Sequence, residues 1–283
     1  MKNKLPNFLI VGAAKSGTSS LHNYLNQHPD IFMPTFTSEG LKVKEPRFLI
    51  KNEVKNRLPK GIWNYEDYKS LFDSATNEIA IGESTVLYLY YYNEAIRNIK
   101  KYLSEDVRII IMLRNPIDRA YSAYSFASRT HQENQNFKEA LMNARKRFDK
   151  DQTLSPMILY KELGLYFEMV KAYMQNFKKV HIVIYDDFVS QTDIEVQRVF
   201  DFLNITKRSP IDTNRVINSG GKKWDSIIAK DLLMGEGILK RVIKLILPQK
   251  LRIILKKGLT NIFTSNVKSM SDSIKKDLFK YYK

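Results

Sequence analysis

The run Phe8-Leu9-Ile10-Val11 is apolar without a break and closes on Gly12. A run that short and unbroken predicts a strand buried on both faces of a parallel sheet. The period then changes. From Ser19 to Gln27, the residues Leu21, Tyr24 and Leu25 share one face of a helix that His28-Pro29 closes. Glu78 to Gly82 predicts a second strand, Tyr91 to Leu103 a helix, and Val107 to Leu113 the clearest strand of the chain. Pro116 opens a helix behind it, at a first-turn position that suits proline. Met157 to Phe177 predicts one long helix and Val180 to Tyr185 a β-branched strand. Asp193 to Leu203 predicts another helix, N-capped by Thr192 or Asp193. Strands alternating with helices indicate right-handed βαβ units, a central parallel sheet flanked by helices in three layers. In such sheets ligands bind at the carboxyl ends of the strands, so the chemistry is sought just after Val11, Ile81, Leu113 and Ile184.

Composition narrows the class. At 283 residues with 43% hydrophobic positions, the chain is long enough for one large domain, taken as 1–283. The absence of cysteine excludes a disulfide framework, a thiolate zinc site and a cysteine nucleophile, and four histidines make a metal centre a poor expectation. None of the four is assigned as a catalyst, and His28 before Pro29 reads as a structural residue at a helix end. The basic start Met1-Lys2-Asn3-Lys4 precedes an apolar run too short for a signal-peptide core, and no stretch reaches the ~18 apolar residues of a membrane span. A soluble, cytoplasmic protein is expected.

Charge points to the partner. There are 46 Lys and Arg against 30 Asp and Glu, a net charge of +16, which implies a polyanionic ligand. Region 222–283 holds 15 of these basic residues and only 5 acidic ones. Its alternation, as in Leu239-Lys240-Arg241-Val242-Ile243-Lys244-Leu245, predicts an amphipathic helical region packed on the core with lysines turned outward. Peripheral contact with an anionic membrane surface, or a rim for an anionic substrate, are the other uses of that pattern. A nucleic-acid-binding module would also explain the charge, but no aromatic-interleaved RNA-binding signature or zinc finger accompanies it, and no nucleic acid is expected.

Two loops carry candidate chemistry. Gly12-Ala13-Ala14-Lys15-Ser16-Gly17-Thr18-Ser19 has the skeleton of a P-loop at a strand–helix junction, where backbone N–H groups and a helix N-terminus face an anion. A nucleoside triphosphatase carries lysine directly after the second glycine. Here Thr18 holds that position and Lys15 lies inside the loop, which argues against a P-loop nucleotide kinase or NTPase using ATP and magnesium. Beyond the central strand, Arg114 lies in the ligand crevice and can fork onto a phosphate, with Ser122 about two helical turns on. Arg119 ranks below Arg114, as a helix-surface residue. The stretch Val180 to Asp187, which imitates a strand ending in a magnesium-binding aspartate, is read as structural. Tyr88, Tyr90, Tyr91 and Tyr92 are read as core packing rather than a sugar-stacking face.

Taken together, Phe8–Leu21, His28-Pro29-Asp30, Lys44-Glu45-Pro46-Arg47-Phe48 and Leu113–Ser122 resemble the 3′-phosphoadenosine-5′-phosphosulfate (PAPS)-dependent sulfotransferases. The branch they look most like contains heparan-sulfate and bacterial polysaccharide or lipo-oligosaccharide sulfotransferases. The likeness runs from about Phe8 to Asn204 and includes Gly164-Leu165-Tyr166, Tyr185-Asp186-Asp187-Phe188 and Phe200-Asp201-Phe202-Leu203. It implies a P-loop-like α/β fold and in-line sulfuryl transfer from PAPS to a hydroxyl or amine of a carbohydrate or glycolipid, leaving adenosine 3′,5′-bisphosphate, with no metal. It implies that Lys15, Ser16, Gly17, Thr18 and Ser19 hold the 5′-phosphosulfate and that Arg114 and Ser122 hold the 3′-phosphate. It also implies that Glu45 is the carboxylate base and Lys15 a catalytic cation, and that Lys222 lies in the loop Asn218–Lys223 that closes over the nucleotide. In the heparan-modifying members a lysine follows the glutamate of Glu83-Ser84-Thr85; here that position is Ser84.

Overall fold

In the computed structural model, which describes residues 4–35, 37, 40, 43–207, 209–214, 222–224, 264–266 and 269–283, the apolar run Phe8–Gly12 forms β1 with all five residues buried. The other strands of its sheet are β2 (Ile31–Phe32), β3 (Ala80–Ser84), β4 (Arg108–Leu113) and β5 (Val180–Ile184). The order is β2-β3-β1-β4-β5, and every neighbouring pair is parallel. β1 therefore has a partner on each edge, which its unbroken apolar sequence requires. Ile10 lies beside Ser84 on one side and Ile110 on the other, and the register slips before Gly12, where the chain leaves the sheet.

The helices, in chain order, are α1 (Thr18–Leu25), the short α2 (Lys51–Val54) and α3 (Tyr65–Ser70), α4 (Tyr92–Tyr102), α5 (Pro116–Arg129), α6 (Phe137–Lys150), α7 (Tyr166–Asn176), α8 (Tyr185–Ser190), α9 (Thr192–Phe202) and α10 (Asp272–Tyr282). Side chains alternate across β1 and so feed two cores. Phe8 and Ile10 pack with Leu21 and Tyr24 of α1 and Val196, Val199 and Phe200 of α9. Leu9 and Val11 pack with Ala95 and Ile99 of α4, Ala120 and Ala123 of α5, and Tyr173 of α7. The result is the expected three-layer α/β fold with helices on both faces. A short antiparallel pair, β6 (Lys222–Trp224) with β7 (Thr264–Asn266), lies outside the main sheet, and β6 approaches α5.

Three expectations are corrected. The single helix over Met157–Phe177 is instead two 3₁₀ turns, Pro156–Ile158 and Glu162–Gly164, followed by α7. Gly164 sits so close to Pro116 and Tyr282 that an added Cβ would lie 2.9 Å from each, so the chain turns there rather than continuing helically. The N-cap of α9 is Gln191, and neither Thr192 nor Asp193 caps it; the Thr192 hydroxyl donates to the Phe188 carbonyl at 2.8 Å, and Asp193 accepts from Thr213 at 2.7 Å. Arg119 is buried, not on the surface. His28 is structural as expected: its Nδ1 accepts from the Asp30 N–H at 3.1 Å and its Nε2 donates to the Lys207 carbonyl at 2.9 Å. Tyr88 is fully buried, and Tyr90, Tyr91 and Tyr92 pack against the core. Asp186 and Asp187 sit exposed in the first turn of α8. The amphipathic alternation quoted at Leu239–Leu245 lies outside the described residues, among which no helix is long and apolar enough to cross a membrane.

Candidate active site

The loop from Gly12 to Gly17 folds back tightly because its ends are pinned. The Ala13 N–H donates to the Met112 carbonyl of β4 at 2.7 Å, and the Leu21 N–H donates to Gly17 at 3.1 Å. Gly12 lies against the 86–89 turn, where an added Cβ would come 2.6 Å from Leu89 Cβ. Gly17 has φ +87° and begins α1 with no side-chain cap. The Ser20 N–H donates to the Gly17 carbonyl at 2.9 Å, so it is the Thr18 and Ser19 N–H groups that the helix start offers to an outside acceptor, and the positive end of the helix favours an anion there. Lys15 also adopts a left-handed backbone, φ +71°.

Three cations gather at this junction. The Lys15 ammonium lies 4.3 Å from the centre of the Phe126 ring, and the Arg129 guanidinium lies 5.4 Å from the same ring. Arg114, at the end of β4, donates to the Lys15 carbonyl at 3.2 Å and stacks 4.4 Å from the Tyr185 ring centre. Burial, followed by the fields of Arg129, Arg114, Arg119 and Lys44, lowers the Lys15 pKa to about 8. Among the described residues, no carboxylate pairs with Lys15, Arg114 or Arg129. Such a group of half-desolvated cations is unfavourable until an anion joins it.

Behind the loop, the Ser16 hydroxyl is buried without a hydrogen-bond partner. The Tyr166 hydroxyl faces it, beside the Arg114 backbone and the Arg119 guanidinium. Arg119 donates from Nη2 to the Tyr160 carbonyl, while its Nε and Nη1 find no partner. Thr18 is buried, Ser19 is half-buried, and Ser122 is half-buried on α5. Lys222 is placed only as a backbone position in β6, whose approach to α5 brings that backbone near the same helix; residues 218–221 of its loop lie outside the described residues.

Glu45 reaches the site from the segment after β2. Lys44 Nζ lies 3.5 Å from its Oε1 and an Arg47 guanidinium nitrogen 3.6 Å from its Oε2. The three side chains thus form an ion-pair cluster, and Lys44 is also close enough to Lys15 to depress its pKa. Glu83, at the end of β3, is fully buried, and burial raises its pKa to about 7 with a further contribution from Glu45. The structure therefore brings Lys15, Ser16, Gly17, Thr18, Ser19, Arg114 and Glu45 to one end of the sheet. Phe126 and Arg129 were not foreseen, although Ser122, Phe126 and Arg129 are spaced i, i+4, i+7 and so share one face of α5.

The central strand, tight glycine loop and uncapped helix define a P-loop-like α/β protein. Residues 5–219 match the model of the sulfotransferase domain, and the chain belongs to the sulfotransferase family. A solved sulfotransferase from Alicyclobacillus acidocaldarius is 32% identical with a TM-score of 0.65, over 86% of this chain and 96% of that one. Human carbohydrate sulfotransferase 15 is 25% identical over 253 residues, 71% of this chain and 44% of that protein. Human bifunctional heparan sulfate N-deacetylase/N-sulfotransferase 2 is 32% identical over 122 residues, 43% of this chain and 13% of that protein. The chain thus spans less than half the length of these curated relatives.

Proposed function

We propose that the chain is an enzyme that moves a sulfuryl group from PAPS to a hydroxyl or amine of a carbohydrate acceptor. The observation that carries this reading is the cluster of Lys15, Arg114 and Arg129 around a P-loop-like junction, with no carboxylate paired to them among the described residues. The residues fit a doubly phosphorylated nucleotide: an uncapped helix start, a glycine whose added Cβ would crowd Met112 and Tyr185 at 3.3 Å, and a partnerless Ser16 hydroxyl. The carbohydrate relatives support the acceptor class.

In this reading the loop N–H groups with Ser16, Thr18 and Ser19 hold the phosphosulfate, and Arg114 with Ser122 holds the 3′-phosphate. Arg129, on the same face of α5 as Ser122, adds charge to that grip. When bound, the nucleotide supplies a sulfuryl group already activated on a phosphate leaving group. Lys15 stabilises the negative charge that collects on the phosphate side, an interaction that strengthens toward the transition state. Glu45 takes the proton of the attacking hydroxyl or amine, as a carboxylate within hydrogen-bond reach does. Lys44 and Arg47, at 3.5 Å and 3.6 Å from its two oxygens, fix its direction.

The test is a thermal-shift comparison. Adenosine 3′,5′-bisphosphate at a hundred times its Kd is expected to stabilise the protein by about 2.7 kcal/mol, and ATP with magnesium at equal concentration by far less. The reverse ranking would favour a nucleotide kinase or NTPase and overturn the reading.

A further inference from the structure

Glu83 belongs to no step described above, yet it is a carboxyl group with no solvent exposure, a short distance from the functional loop. A carboxyl buried that completely is retained against a large desolvation cost, so its neighbours are informative. Its Oε1 accepts from the Thr85 hydroxyl at 3.0 Å, and its Oε2 has no partner. Thr85 Oγ1 in turn accepts from the Arg47 backbone N–H at 3.2 Å. The hydroxyls of Tyr68, from α3, and Tyr88, from the turn before α4, face the same carboxyl. Tyr88 Oη accepts from the Leu49 backbone N–H at 3.3 Å.

Both anchored amides, Arg47 and Leu49, belong to the segment that carries Glu45. Arg47 needs anchoring: its φ is +61°, a left-handed conformation that a non-glycine residue holds only when its surroundings impose it. That conformation sets where its guanidinium lies, 3.6 Å from Glu45 Oε2. We propose that Glu83 is the positioning residue of the Glu45 base, holding the 45–49 segment in place through the hydroxyls of Thr85 and Tyr88. The group that Glu83 positions is a carboxylate receiving a proton from a sugar hydroxyl or amine, so the inference rests on the reading of Glu45 given above. Tyr68, Tyr88 and Glu45 are the titratable groups that face it, from α3, from the turn before α4 and from the 43–47 segment.

The test uses the full chain with Thr85→Val, Glu83→Leu and Glu83→Gln. Val keeps the shape of threonine without its hydroxyl, and Gln keeps an acceptor for Thr85 without a charge. Amide hydrogen exchange needs no acceptor sugar. In Thr85→Val and Glu83→Leu, exchange at Arg47 is expected to speed by about tenfold, the loss of one hydrogen bond, while amides of β1 hold their wild-type rates. Glu83→Gln should restore slow exchange at Arg47. With labelled PAPS and desulfated glycosaminoglycan chains as the acceptor probe, the first two variants should lose turnover by about tenfold, with bisphosphate affinity within twofold of wild type. Unchanged exchange at Arg47, or acceleration spread evenly over the sheet, would overturn the brace. Faster exchange with full turnover would overturn its role in positioning. Full activity in Glu45→Gln, measured alongside, would instead remove Glu45 as the base and leave the brace to be judged by exchange alone.

Discussion

Lys15 is the residue on which the site's electrostatics turn. Its folded pKa, about 8, is lower than the unfolded value of 10.5, chiefly through burial, so the folded chain binds fewer protons between those two values. Anion binding reverses the effect, because a phosphate at the loop favours the ammonium. Affinity for adenosine 3′,5′-bisphosphate should therefore hold up to pH 8 and fall above it, by up to about tenfold per pH unit. Calorimetry in buffers of different ionisation enthalpy should show proton uptake near that pH. Glu83 has the opposite bias. Its folded pKa, about 7, stands above the ordinary carboxyl value of 4.5, so the folded chain keeps a proton that the unfolded chain has lost. Its contribution to stability declines as pH rises from 4.5 to 7 and is flat above that. Urea melts should show Glu83→Gln gaining on wild type between pH 5 and pH 8; a constant difference would contradict the shift. For the chemistry, Lys15→Ala and Glu45→Gln should each lose about 10²-fold or more in turnover, Glu45→Gln with normal bisphosphate binding. Lys15 and Arg114 were legible from sequence because strand ends mark ligand sites. Arg119 was not, because the groups around its guanidinium, Tyr160, Tyr166 and Tyr282, are remote from it in sequence.

At the scale of elements, the β1–loop–α1 unit carries the strictest demands. An alanine at position 17 must adopt φ +87° and also approach Met112 and Tyr185 at 3.3 Å. Gly17→Ala should cost about 1 kcal/mol or more in stability and weaken nucleotide binding further, read as a lower Tm and a reduced bisphosphate shift. This unit was readable because each feature is local: an apolar run, two glycines and a helix pattern. The Met157–Phe177 segment misled because Gly164 turns the chain through contacts with Pro116 and Tyr282, residues remote in sequence. Helix α6 was overlooked although Asn136 and Glu139 form a capping box at its start, a spacing that sequence does display. The Glu83–Thr85–Arg47 chain joins β3 to a segment some 40 residues earlier, and nothing in a linear pattern announces such a bond.

At the scale of the molecule, the net charge of +16 acquires a partial purpose in the cations around the glycine loop, while most of the basic surplus lies after Lys222. Parallel topology was legible from the alternation of strands and helices; the strand order was not, since it depends on which edges the cores select. That order has a consequence for biosynthesis. Among the strands of this sheet β1 is made first, yet its partners are β3 and β4, with Phe8 registering beside Gly82 and Arg108. At the usual pace of translation, 5–20 residues per second, roughly 5–20 s separate the emergence of β1 from that of β4. Throughout that interval a strand greasy on both sides waits in the nascent chain without its neighbours. Ribosome-associated chaperones have their natural target there, and a nucleotide given during synthesis would find no loop to grip until the fourth strand had docked.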